Sequence, residues 1–506
     1  MQEKTKELRG TIEFLKREGE LIEVEGEVDP IYEIAGIQKA FENGPALLFQ
    51  NIKGYPRVRD IGNLFSRVDR AAKIFDVEDP RKLKFKCLEA IRKPISPKVV
   101  GEGPCQEAII RTGIDVMGTL PIIKHTERDG GRILGGGIIS VTGIRNGGTE
   151  LCFKRMNFRG RDWGSLFIGM PTHLGLLRYT ERRGQEIPLT INIGTPPAVS
   201  MVAGAAFLHS VVPFGSDELA IAGGLQGFPV EICKAKTVDA YAIANSEWVI
   251  EGILTPELVW ETDEAEKMEK ARTTPFFPEW PGYLGTALKA PKFQVTAITH
   301  RKDRPIFYTP LARSYECGLG HPLTEACFFE LAERMNPGFV IDVHIPDSLL
   351  WGGGLVFQVR KRGMREEGYQ KMLLMNLLGD AFSAYGLRLV MAVDEDVDIY
   401  NADDLLWAFA TRVEPNKDIV RGPIGIGRIS FQPQEGAGAV VQESVFEGPI
   451  GIDATVPLQL RKTVVFERAH YPVDRIDLKK WFSRDQIAAV KQMQTEYARL
   501  VAKKGW

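Results

Sequence analysis

The spacing of apolar positions changes along this chain of 506 residues, and each change predicts a different kind of element. Leu8, Ile12 and Leu15 fall at helical intervals, which predicts an amphipathic helix over about 4 to 19. A second helix is predicted over 30 to 43, closed by the turn at Gly44-Pro45. From about 105 to 310 the pattern becomes that of strands. Ile133-Leu134 to Ile144, Leu151 to Met156, Leu189 to Ile193, Val230 to Lys234 and Phe293 to His300 are rich in β-branched residues and punctuated by Gly and Pro. They predict a largely antiparallel sheet or barrel, with helical interludes at 172 to 183 and 197 to 207.

Beyond 320 helices and strands alternate. Helix is predicted at 322 to 335 and 367 to 385, and strand at 339 to 344, 355 to 361 and Leu387 to Val393. Asn401 is placed to cap a helix from Ala402 to Arg412, with Asp403 and Asp404 in its first turn favouring the helix dipole. Ser483 stands three residues before Gln486, a capping-box spacing that opens a last helix over 480 to 503. Its apolar stripe (Ile487, Val490, Met493, Tyr497, Leu500) fits packing on a neighbouring subunit or on its own domain. The fold class is therefore α+β passing into α/β.

Length changes this picture by requiring more than one core. The expected division is 1–105, an α/β segment; 106–310, the strand-rich domain; 320–480, an α/β domain; and 481–506, the terminal helix. Hydrophobic residues at 44% and charged residues at 26% fit an ordinary soluble protein. A formal net charge of -2 without blocks of like charge gives no electrostatic case for nucleic acid or membrane binding. Glycine interrupts the longest apolar run, Ile133 to Ile144, so no membrane span is predicted. The charged start MQEKTKELRG has no signal-peptide core, and the six cysteines form no CxxC pair, so a reducing cytoplasm is the expected location.

Candidate chemistry lies in a dispersed polar set: Glu150, Arg155, His173, Glu218 and Glu279. Each sits in apolar or tight-turn sequence, where an unpaired charge is expensive. A strand through Leu151 to Met156 would put Arg155 on one face with Leu151 and Phe153. There it reads either as the partner of a local acid at a strand edge or as a guanidinium aimed at an anion. His173, in Gly-Met-Pro-Thr-His-Leu-Gly, enters a turn into a helix, and alone it reads as a cap or a core hydrogen-bonder. Glu218 follows Ser216 and Asp217, either of which could cap a helix that Glu218 begins; its other reading is a metal ligand. Glu279 lies in Thr-Thr-Pro-Phe-Phe-Pro-Glu-Trp-Pro-Gly-Tyr, as a proline-stiffened loop residue or as an acid whose apolar surround raises its pKa for proton transfer. Two carboxylates, a histidine and an arginine converging would suit a divalent metal that clamps a phosphate.

These motifs and their order resemble the UbiD family of prenylated-FMN-dependent decarboxylases over roughly 100 to 475. The family pattern is an asparagine five residues before an arginine, a histidine eighteen residues after it, and an acid in a (S/D)-E-x-A-x-A-G turn. Glu150, Arg155, His173 and Glu218 (in SDELAIAG) occupy those places, with further matches in KTVDAYAIANSEWVIEG, VTAITHRKD and DEDVDIYNADDLLWAFATR. The resemblance implies a cofactor domain with a flavin-reductase-like split β-barrel and a C-terminal α/β oligomerisation domain. It implies Mn²⁺ on Glu150, His173 and Glu218, with K⁺ nearby. It also implies cofactor contacts from Phe153, Lys154, Arg155 and Thr172, and from Lys371 near the phosphate. Glu279 matches the second acid of the family's Glu-Arg-Glu triad, the proton donor.

The chain departs from the pattern at two places. Glu150 replaces the metal-binding asparagine, and Thr274 stands where the triad's first acid falls, after an insertion around 261 to 273. Glu279 is therefore expected to be the sole surviving acid. With FPEWPGY and GIDATVPL, these departures place the chain nearest the phenolic-acid branch (gallate, protocatechuate and 4-hydroxybenzoate decarboxylases). The expected activity is reversible, non-oxidative decarboxylation of an aromatic acid, releasing CO₂, in a homo-oligomer supplied with cofactor by a flavin prenyltransferase. The alternatives are a carboxylase of an arene or aromatic CoA-thioester, and a non-catalytic flavin-binding subunit.

Overall fold

The computed structural model describes residues 2–144, 147–168, 173–279, 282–311, 315–349, 353–379, 387–422, 449–461, 468–469 and 471–502. The chain forms two compact units, Met1–Thr455 and Val456–Trp506.

In the first unit the predicted opening helix is two helices, Gln2–Thr5 and Leu8–Arg17. The break is local: Thr11 Oγ1 donates to Lys4 O at 2.6 Å, and a Cβ on Gly10 would lie 2.1 Å from Glu3 O. Glycine thus lets the first turn fold back onto the second helix, while Leu8, Ile12 and Leu15 are buried as their spacing predicts. The next helix, Glu33–Ala40, joins the first two strands of a four-stranded sheet ordered Leu21–Val28, Ala46–Ile52, Arg59–Gly62, Ile306–Tyr308. Its last strand arrives from far along the chain and pairs in parallel with Arg59–Gly62.

The central sheet carries the site. Its path runs Ile133–Leu134, Met156–Phe158, Trp163–Leu166, Lys289–His300, Trp248–Trp260, Ile187–Ile193, Ile138–Ile144 and Gly148–Phe153, and Ala108–Ile110 pairs with Lys289–His300. Every pairing in it is antiparallel, as the strand pattern predicts. The strand expected over Leu151 to Met156 is not continuous. It stops at Phe153 and resumes at Met156, leaving Lys154 and Arg155 between two strands.

That break explains the shape. Gly148–Phe153 ends the sheet at one edge, whereas Met156–Phe158 lies next to the last strand at the other. Three Cα–Cα steps reach at most about 11 Å, so the sheet must curl until its two ends meet. Lys154 and Arg155 stand at the seam of this split barrel.

The C-terminal sheet of the unit is ordered Val340–His344, Gly354–Val359, Leu389–Asp394, Ile450–Ala454, Ile419–Arg421. Its two middle pairings are parallel, as the α/β alternation predicts. Leu355, Phe357 and Val390 join Phe328 of helix His321–Met335 and Leu373 and Leu374 of helix Tyr369–Gly379 in the main core. Val356, Met391, Val393 and Ile452 form a second core with Leu405 and Ala408 of helix Ala402–Arg412. Asn401 caps that helix, accepting from Asp403 N at 3.0 Å. The helix predicted to run to 385 is described as far as Gly379, and 380–386 lie outside the described residues.

The second unit ends in helix Arg484–Ala502, opened by the capping box: Gln486 N donates to Ser483 Oγ at 3.2 Å and Ser483 N to Gln486 Oε1 at 2.9 Å. No described helix is long and apolar enough to cross a membrane.

Candidate active site

Two buried clusters flank the seam. In the first, strand Gly148–Phe153 is covered by helix Glu218–Gln226, and Gly148 sets how closely the preceding turn can approach. A Cβ there would lie 2.2 Å from Gly215 O and 2.8 Å from Ser216 O. Asp217 caps the helix through Leu219 N at 3.1 Å, and Glu218, its first residue, accepts Leu151 N at 2.7 Å. The capping reading of this turn therefore holds, with Asp217 as the cap, and Glu218 is carried inward to the strand. Glu150 Oε2 accepts the N–H of Leu174, in the short helix that His173 opens.

Glu150 and Glu218 are buried. Burial, and then the negative charge of Glu150, push the Glu218 carboxyl well above the usual range, while Lys154 pulls it the other way. Like charges in low dielectric need a neutralising partner. An oxygen-rich pair beside the backbone of His173 suits a hard divalent cation such as Mn²⁺, so the donor set fits that ion. Thr172 and the side chain of His173 lie outside the described residues.

The second cluster centres on Arg155, which is divided between two carboxylates. Nε and Nη2 donate to Glu261 Oε1 and Oε2 at 3.1 and 2.9 Å, and Nη1 donates to Glu279 Oε1. Phe167 and Phe276 each hold a ring centroid 4.6 Å from the guanidinium carbon. Glu261 follows directly on strand Trp248–Trp260, and Asn157 Nδ2 and Arg159 Nη1 hold the carbonyls of Glu261 and Trp260 at 2.6 and 3.0 Å. Glu279 begins the turn of the short hairpin of Pro275–Pro278 with Leu284–Thr286, its N–H donating to Tyr283 O at 2.8 Å. Gly285 leaves room for it, since a Cβ would lie 2.6 Å from Glu279 Oε1.

The two acids are not equivalent. Glu261 accepts three donors: two from Arg155 and Leu288 N at 2.9 Å. Among the described residues Glu279 accepts only Arg155 Nη1. Burial raises both, Arg155 opposes it in each, and the charge of Glu279 adds to the rise of Glu261. One guanidinium cannot neutralise two buried carboxylates, so the triad favours retaining one proton. Three donors stabilise the ionised form of Glu261, which leaves Glu279 as the better proton carrier.

Family models for the 3-octaprenyl-4-hydroxybenzoate carboxy-lyase match three stretches: the N-terminal domain at 12–85, the Rift-related domain at 98–313 and the C-terminal domain at 317–435. Gallate decarboxylase of Lactiplantibacillus plantarum is 30% identical over 89% of this chain and 93% of its own. The chain belongs to the UbiD family. UbiD-class structures share its fold. The apo 3,4-dihydroxybenzoic acid decarboxylase of Enterobacter cloacae superposes with a TM-score of 0.80 at 30% identity, over 94% of this chain and 98% of that one. An evolved dimeric form of HmfF from Pelotomaculum thermopropionicum, in complex with prFMN, gives 0.77 at 29% identity, over 94% and 100%. This UbiD chain is a carboxy-lyase with its relatives among phenolic-acid decarboxylases.

Several expectations change in this frame. Arg155 does not join Glu150 and Glu218 in one cluster; it belongs to the acids. The second acid does not come from the place of Thr274, which is buried with no acceptor or donor for its hydroxyl among the described residues. It comes from Glu261, so Glu279 is not alone on Arg155. Glu261 was hidden because it opens the acidic run Glu261-Thr-Asp-Glu-Ala-Glu, which reads as a solvated helix start. Thr262 does cap that helix through Ala265 N at 3.1 Å, yet Glu261 is buried. Phe153 is half-buried against the core, and Lys154 is half-buried beside Glu218. Lys371 donates to Lys417 O and Asp418 Oδ1, both at 2.9 Å, within the C-terminal sheet region. Neither partner belongs to either cluster at the seam.

Proposed function

We propose that the chain is a reversible, non-oxidative decarboxylase of a phenolic aromatic acid, working with prenylated FMN and Mn²⁺. The observation that carries the reading is the asymmetric Glu261–Arg155–Glu279 triad at the seam of the barrel. In the decarboxylation direction the bond from ring carbon to carboxylate breaks, CO₂ leaves, and its electron pair stays with the ring carbon. Glu279 delivers the proton that replaces the carboxyl group, and Arg155 then compensates the carboxylate left on Glu279. Glu261 holds the guanidinium in place throughout, and its geometry leaves one Nη1 hydrogen of Arg155 for the substrate carboxylate. Prenylated FMN, when bound, would supply the electron sink that stabilises the pair left on the ring. Glu150, His173 and Glu218 would hold Mn²⁺ against its phosphate with K⁺ nearby, and Phe153, Lys154, Thr172 and Lys371 would contact the cofactor. A flavin prenyltransferase would supply it, and the working form would be a homo-oligomer.

An intact triad speaks against a non-catalytic subunit. It also removes the motive for a separate carboxylase reading, which rested on Thr274. The test is Glu279→Gln in protein loaded with cofactor. Folding and the flavin spectrum should be retained, while exchange of ring hydrogen for deuterium should fall by roughly 10²- to 10⁴-fold. Exchange at the normal rate would sink the role of Glu279. Product analysis of an aromatic-acid panel, following CO₂, identifies the substrate.

A further inference from the structure

Residues 125–131 pack on both of the segments that carry the acids of the triad. Asp129, whose side chain is buried, folds them into a turn. Its Oδ2 accepts His125 N at 2.8 Å and lies 3.1 Å from His125 Nδ1, and its Oδ1 accepts Thr126 Oγ1 at 2.5 Å. Asp129 N in turn donates to Thr126 O at 3.2 Å. Ile133 N donates to Ile123 O at 3.0 Å, so the loop closes on strand Ile133–Leu134 of the barrel.

Toward Glu279, Gly130 N donates to Phe276 O at 2.7 Å, and the His125 ring lies 5.9 Å from that of Phe277. Neighbours in a strand face opposite ways. Phe277 therefore meets the turn, while Phe276, fully buried, stacks on the Arg155 guanidinium. Toward Glu261, a Cβ on Gly130 would lie 2.4 Å from Thr262 Cγ2, and also 3.1 Å from Pro275 O. A Cβ on Gly131 would lie 3.1 Å from the Asn157 amide, whose Nδ2 holds Glu261 O at 2.6 Å. Two glycines thus let one short stretch of backbone fit against Thr262, next to Glu261, and against Pro275 and Phe276, in the hairpin that leads to Glu279. Arg155 can hold both acids only while those two segments keep their spacing.

We propose that Asp129 is a positioning residue for the proton transfer: the turn it folds braces the Glu279 hairpin against the segment that carries Glu261. The proposal rests on the reading of Glu279 as the proton carrier. A pair of short strands is marginal by itself, and Pro275–Pro278 pairs irregularly with Leu284–Thr286. The hydrogen bond from Gly130 N and the His125 ring give that hairpin an outside support. Removing the Asp129 carboxylate takes away the acceptor of His125 N and Thr126 Oγ1 together, so both supports lose their frame.

Asp129→Ala in the full chain loaded with cofactor tests the brace. Hydrogen–deuterium exchange should quicken in 275–287 and stay unchanged in the C-terminal sheet. The value of kcat should fall roughly 10- to 100-fold with KM little changed. Arg155 opposes the rise of Glu279, so a hairpin drawn away from Arg155 raises Glu279 further, and the falling limb of the kcat profile should move to higher pH. A substitution that merely destabilises would lower the active fraction and leave the limb in place. Asp129→Asn should restore both readouts, since its amide oxygen can accept His125 N while the Thr126 hydroxyl turns to accept from its NH₂. Gly130→Ala, a wedge against Thr262 and Pro275 that leaves the turn's own contacts intact, should give the same signs if Asp129→Ala does not fold. Unchanged exchange in 275–287 overturns the proposal, and so does a limb that stays in place. An unsubstituted enzyme with no falling limb counts against the role of Glu279 instead; exchange, which needs no turnover, then decides the brace by itself.

Discussion

At the residue scale the triad's behaviour follows from how three charges share a dry space. Burial raises Glu279 and Glu261, so the folded protein keeps protons there that the unfolded chain would already have released. Their contribution to stability is therefore fully present below the ordinary carboxyl range and is lost as pH rises through the raised values. Turnover should follow the same direction. If Glu279 must carry a proton, kcat is flat at low pH and falls as pH rises through its raised pKa. In Glu261→Gln, Arg155 would have one carboxylate left to serve, which pulls Glu279 down; the falling limb of the kcat profile should move to lower pH. A limb that does not move means that Glu261 does not govern where the proton sits. Gly285→Ala tests the same geometry from the other side. The added methyl would press on the Glu279 carboxylate and displace it from Arg155, lowering kcat on the order of 100-fold while the melting temperature changes little.

At the element scale, charged groups are placed by helix starts and strand ends. Asp217 caps the helix that Glu218 begins, so Asp217→Ala should cost about 1 kcal/mol of stability. The same change should lower bound manganese, measured by elemental analysis, because the first turn positions the carboxylate; Asp217→Asn keeps the cap and should keep most of the metal. These helix starts were legible in the sequence, since capping is a local contact between neighbours. The break at Lys154–Arg155 was not. Alternation from Leu151 onward looks continuous, and only pairing with distant partners at both edges of the sheet ends one strand and begins another.

At the scale of the whole molecule, the terminal helix presents Val490, Met493 and Tyr497 at helical spacing, each more than half exposed. If this stripe joins subunits in the proposed homo-oligomer, Val490→Asp with Met493→Asp should lower the sedimentation coefficient to that of a smaller species. An unchanged coefficient assigns the contact elsewhere.

The division between what the sequence and the tertiary structure determine is physical. Local periodicity, caps and the ordered motifs around Glu150, Arg155, His173, Glu218 and Glu279 determined the antiparallel sheet, the α/β half and the family, because those signals lie within a few residues of one another. The tertiary structure alone decided which charges meet. Glu261 and Arg155 are 106 residues apart and are joined by the curl of the sheet. Arg155 meets Glu261 and Glu279 rather than Glu150 and Glu218 because the strand carrying Glu150 stops two residues before it. Burial then raised both Glu261 and Glu279, and burial is a property of the fold rather than of any segment.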